Sequence, residues 1–196
     1  MDDTIEVLFI RVDFSDFPGA PVSQGDLETT LTTVANNIEE FSYNAATIVS
    51  TVTPTVYRMP NTGASYAVAG DDNGIQSDAQ ALAAVNYTIG NYDVIAVFFP
   101  DLSGVPGSQI TYAGLASIGG NKHRGNGTNN PNVILHEFGH NYGLYHSNYW
   151  DLTQTLPGDN AVYDILEDSS TRFTIRDKAP IGTGDRFVKI GIKNPD

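Results

Sequence analysis

The stretch His136-Glu137-Phe138-Gly139-His140-Asn141-Tyr142-Gly143-Leu144-Tyr145-His146 constrains this chain more than any other. His136 and His140 are four residues apart, which on an α-helix puts both imidazoles on one face, one turn apart. Two neutral imidazoles converging there suit a borderline-soft divalent metal, zinc above all. Glu137 lies roughly 100° round the helix from His136, beside the metal position rather than on it, where a base for a metal-activated water must stand. A straight helix would carry His146 about 9 Å along the axis from His140, out of reach of a bond of about 2.1 Å. Gly143 resolves this, because glycine ends helices in the left-handed conformation at little cost. The chain can then turn and bring His146 back. Three protein ligands leave a fourth position for water, the arrangement of a catalytic zinc.

The full HExxHxxGxxH pattern occurs by chance in on the order of one chain in a hundred thousand of this length. It is the zinc signature of the metzincin metallopeptidases, and the sequence resembles that clan. With Ser147, the stretch is most similar to gametolysin-type or related bacterial secreted metzincins.

The chain has 196 residues, enough for one domain or a domain of two lobes. Its net charge of −13 argues against nucleic acid as a partner. Residues 1–170 hold 4 Lys/Arg against 20 Asp/Glu, whereas residues 171–196 hold 6 against 3. The acidic part reads as the solubility of a secreted protein in preference to binding of calcium or cationic substrates. The chain contains no cysteine, so disulfides and a thiolate latency switch are excluded within it. No apolar run approaches the ~18 residues of a membrane span. The acidic start, Met1-Asp2-Asp3-Thr4, has no apolar h-region and is not expected to be a signal peptide.

Residues 5–14 read as a buried strand, and Ser23 as the cap of a helix over 24–41. Residues 47–57 alternate apolar and hydroxyl side chains, and Pro54 marks an edge or broken strand. Residues 61–74 read as turn, with Asp71-Asp72-Asn73-Gly74 lacking the spacing of a calcium loop. A second helix is expected over 78–89, capped by Ser77. Residues 93–99 form a fully apolar, central strand, and 111–118 a short one. Residues 119–130 read as a polar loop in which His123 is solvated. Pro131 opens the zinc helix, which runs to 143. The tail is mostly irregular, with a short apolar segment over 161–166. The pattern is α+β, a mixed sheet with helices on it.

The resemblance to metzincins implies more. It implies an upper lobe of mixed twisted sheet with two long helices over residues 1–146, and a small irregular lower lobe with the tail over 147–196. It assigns His136, His140 and His146 as zinc ligands, Glu137 as general base and acid, and Gly143 as the helix-ending glycine. It makes Gly114, Leu115 and Ala116 the core of an edge strand that pairs with substrate backbone. The clan has a methionine in a turn beneath the zinc, after the third histidine. This chain has only Met1 and Met59, both before it. Leu166 is the candidate replacement, a swap of similar volume.

The implied activity is zinc-dependent endopeptidase, acting on protein or peptide as a secreted monomer. Tyr149 or Tyr163 could add a hydrogen bond to the oxyanion. A zinc-bearing domain that binds protein or glycan without cleaving it is the alternative, and retention of Glu137 argues against it.

Overall fold

The computed structural model describes residues 3–146 and the strands at 174–178 and 187–191. Leu166, Tyr149, Tyr163, Ser147 and the segment 161–166 lie outside the described residues. The chain divides into two compact units, Met1–Leu144 and Tyr145–Asp196. In the second, strands Thr174–Lys178 and Phe187–Gly191 pair antiparallel.

The first unit is α+β. Strand β1 (Asp3–Asp13) is followed by helix α1 (Gln24–Phe41), β2 (Ala46–Arg58), α2 (Gly63–Ala69), α3 (Asp72–Ala83), β3 (Val94–Phe99), β4 (Gly114–Ala116), β5 (Lys122–Asn126) and α4 (Pro131–Asn141). The five strands form one mixed sheet in the order β2-β1-β3-β5-β4. β1, β2, β3 and β5 are parallel; β4 runs antiparallel to β5 at one edge.

Strand pleating divides β1 between two helical layers. Leu8, Ile10 and Val12 join Ile95, Val97 and Phe99 of β3 in a core closed by Ile75, Ala79 and Ala83 of α3. Phe9 points the other way, with ring centroids 5.7 Å from Phe98 and 6.2 Å from Phe138 of α4. α1 packs on β2 and α4. Its buried stripe, Leu27, Leu31, Val34 and Ile38, has the helical spacing anticipated, and Ser23 caps it by accepting from the Asp26 amide at 3.1 Å. β3 is central, and all six of its residues are buried.

β2 is an edge strand, as Pro54 suggests. Its register against β1 slips between Phe9↔Val52 and Arg11↔Val56. The buried Arg11 stabilises that irregularity. Its guanidinium donates to the carbonyls of Thr53 (2.9 Å), Pro54 (2.7 Å) and Val22 (3.1 Å).

Three expectations are corrected. Residues 61–74 are not simply turn, since α2 occupies Gly63–Ala69, capped by the Thr62 side chain and ended by Gly70 at φ 63°. The next helix starts at Asp72 rather than 78. Asp71 is its cap, accepting from the Gly74 amide at 2.8 Å, so Ile75, Gln76, Ala79 and Ala83 form the buried stripe. Ser77 sits inside the helix. The polar loop 119–130 contains β5, which pairs with β3 from Ile95↔Lys122 to Phe99↔Asn126.

His123 is therefore not solvated. It is 1% exposed and is enclosed by Phe9, Phe98 and Phe138. Burial pushes its pKa down to about 4, with the Arg124 charge adding to the effect against the hydrogen bond to Asn141. The folded chain thus binds fewer protons than the unfolded one between about pH 4 and pH 6.5, so stability should rise with pH across that window. Full stability should hold above about pH 6.5, with on the order of 3 kcal/mol lost by pH 4. Chemical denaturation from pH 4 to 7 measures this. A His123→Phe chain should lack most of that slope, and an unchanged slope would refute the assignment.

Candidate metal centre

α4 begins at Asn130, whose side chain accepts from the Asn132 amide at 2.9 Å, with Pro131 in the first turn. Ile134, Leu135, Glu137, Phe138 and Asn141 face inward. His136 and His140 are half-buried on the other side, one turn apart, with ring centroids at 4.6 Å and planes at 84°.

The helix ends in a Schellman turn. Gly143 has φ +90°, its amide donates to the His140 carbonyl at 2.8 Å, and the Leu144 amide donates to Gly139 at 2.9 Å. The Leu144 side chain comes back over Gly139, where a Cβ would stand 3.8 Å from it. The turn also fixes a tautomer. His140 Nδ1 lies 2.8 Å from the Leu144 carbonyl oxygen, which can only accept, so Nδ1 carries the proton. The lone pair of His140 is then on Nε2. A metal-ligating histidine commonly donates its other ring N–H to a backbone carbonyl in this way.

One ring nitrogen from each of His136, His140 and His146 lies within 4.8 Å of the others. Nitrogens sharing a tetrahedral zinc at about 2.1 Å stand about 3.4 Å from one another. The donor set must therefore draw in by up to about 1.4 Å to hold one ion, and three imidazoles suit zinc in kind.

Glu137 is 5% exposed and leans on β4. A Cβ on Gly114 would stand 2.7 Å from Glu137 Oε1 and 2.8 Å from its Cγ, and 2.8 Å from Val133 Cγ1. Glycine at 114 thus lets α4 lie directly on the edge strand. Leu115 and Ala116 complete β4, opposite Arg124 and His123. Before it, Tyr112 is partly buried. Desolvation, then the charge of Asp72, pushes its hydroxyl pKa well above the ordinary value, so it stays protonated. Asn126 anchors the segment leading to β4, accepting from the Leu102 amide and donating to the Tyr112 carbonyl, both at 2.8 Å.

The structure therefore brings the three histidines together, buries Glu137 beside them, and sets Gly114–Ala116 on the sheet edge. Sequence reasoning missed Asn141. Its Nδ2 donates to the carbonyls of Gly120 (2.8 Å), Lys122 (3.0 Å) and Ser117 (3.4 Å). Those three acceptors fix the amide orientation, so Oδ1 accepts from His123 Nδ1 at 3.3 Å. An asparagine directly after the second histidine was a visible signal, but its partners come from a strand that the sequence hid.

Replacing Gly143 by Ala should strain the φ +90° turn, destabilising the chain by about 1 kcal/mol. By loosening the Leu144–His140 bond it should also weaken zinc binding about tenfold. Competition with a chromophoric chelator measures the affinity, and an unchanged value would remove the turn's role in setting His140.

Compared with protein-family models and with curated proteins, the chain matches none.

Proposed function

We propose that the chain is a zinc-dependent endopeptidase of metzincin type. The carrying observation is the pairing on α4 of two histidines set edge to face, one with its tautomer fixed by its own helix-ending turn, with a buried Glu137 pressed against the sheet edge. His136, His140 and His146 would hold the ion. Bound zinc lowers the pKa of a coordinated water to about 7 and polarises a carbonyl.

The chain's own residues do the rest. Peptide hydrolysis needs a proton removed from the attacking water and a proton delivered to the leaving amine. Glu137 does both, taking the proton on its carboxylate and passing it to the amine nitrogen. Its burial against β4 excludes solvent from one side and limits its rotamers, keeping it in reach of both positions. The outer edge of β4 has backbone groups that β5 does not use, and an extended peptide would add there as a further strand. The resemblance anticipates an edge strand here and a mixed sheet behind it, which supports the reading of the fold as metzincin-like. A secreted location and a protein or peptide substrate belong to the same reading. Among the described residues no helix is long and apolar enough to cross a membrane.

Cleavage of a mixed quenched-peptide library by the zinc-loaded chain is the test. Glu137→Ala should retain one zinc per chain and lose about 10²–10⁴-fold in rate. Chelation should abolish cleavage by the native chain, and added zinc should restore it. One bound zinc with no cleavage of any peptide would overturn the peptidase reading in favour of a zinc-bearing binding domain. Separately, Gly114→Ala should displace Glu137 and Val133 and lower kcat about tenfold with zinc content unchanged. Undiminished kcat would mean the close approach at Gly114 does not position the base.

A further inference from the structure

We infer that Asn141 is a positioning residue, which sets the edge strand β4 against the catalytic face of α4 and thereby governs the use of extended substrates. The inference rests on the peptidase reading for its functional half. Its structural half stands on the hydrogen bonds alone.

Asn141 follows His140 directly and is 8% exposed. It points away from the metal side of α4, into the connection between β4 and β5. Three carbonyls, on Ser117 and Gly120 of that connection and on Lys122 at the start of β5, converge on its Nδ2. Its Oδ1 accepts a hydrogen bond from His123 Nδ1 on the next strand. A backbone bond runs in parallel, the Gly119 amide donating to the His140 carbonyl at 2.8 Å. A side chain of α4 thus holds this connection from a position one residue after His140.

The geometry has a direct consequence for β4. The strand is three residues long and, among the described residues, pairs with β5 alone, so its own ladder is weak. At its first residue, Gly114, it is held by contact with Glu137 and Val133. At its far end it is held through the connection that Asn141 grips. Glu137 is one turn before Asn141 on the same buried side of α4. A peptide that pairs with β4 is aligned to Glu137 only as well as β4 is aligned to α4. Loosening the grip should therefore penalise substrates in proportion to how much of the strand they use. The bare chemistry at the histidines should be affected less.

The experiment compares the zinc-loaded full chain with Asn141→Ala. Asn141→Ser, which keeps one donor in a smaller side chain, is used if the alanine chain fails to fold. Hydrogen exchange is read first, because it does not depend on cleavage. Amides of 114–122 should exchange at least about tenfold faster in the variant, while the amides of β3 and the first turns of α4 keep their protection. Bound zinc should stay at one per chain. Kinetics follow on peptides that the native chain cleaves. In the variant, the gain in kcat/KM from lengthening the peptide should shrink about tenfold, with little change for the shortest substrate.

Unchanged exchange at 114–122 in a folded variant overturns the inference. So does faster exchange throughout the unit, or an equal loss of rate for short and long peptides, since each would mark a general structural role. If the native chain cleaves nothing, the peptidase reading fails by that result, and the exchange pattern alone decides whether Asn141 fixes β4.

Discussion

The backbone reversal at Gly143 is the constraint on which the candidate site depends. A helix continued past Asn141 would carry His146 away from His136 and His140. The left-handed glycine stops the helix and satisfies two of its last carbonyls, on Gly139 and His140. It also delivers the Leu144 carbonyl to His140 Nδ1. A single turn therefore does three jobs that are usually spread over several residues: capping, redirecting the chain, and fixing the tautomer of His140.

Around that turn the first unit is arranged so that α4 cannot slide. Phe138 packs against Phe9 and His123 in the layer under the helix. Val133 and Glu137, one turn apart, close on Gly114. Asn141, one turn further, takes the β4–β5 connection. The inner face of the helix thus reads, from start to end, as a series of contacts to the edge of the sheet. The outer face carries the histidines. Apolar packing fixes the middle of the helix and polar bonds fix its end, where burial is weaker and direction matters more.

The parts of this arrangement that were legible in the sequence are those governed by local rules. Helix α1 follows its apolar period and its Ser23 cap. β3 is apolar throughout and central. Pro54 marks the edge strand, and Pro131 and Gly143 bracket α4. What could not be read depends on partners distant in sequence. Lys122-His123-Arg124-Gly125-Asn126 has no apolar residue, and its burial is supplied by Phe9, Phe98 and Phe138 from other elements. Its polar groups are met by Asn141, by Asn73 at 3.0 Å from Arg124, and by Leu102 and Tyr112 around Asn126. α3 was displaced because Ser77 precedes an alanine-rich run. Asp71 prevails as the cap since starting there buries Ile75 and lets Gln76 donate to the Ile95 carbonyl at 2.9 Å.

The two rims of the sheet are unlike, and the difference bears on how the protein avoids its own copies. β2 is thirteen residues long, a length that invites strand-to-strand aggregation. Pro54 removes a donor from that rim, and the buried Arg11 holds the adjacent backbone out of regular register. The opposite rim is left regular but is only three residues long, and it lies against a helix. A self-associating chain finds one rim broken and the other too short to template a stack. A single extended guest of the kind proposed for this edge would not need the length.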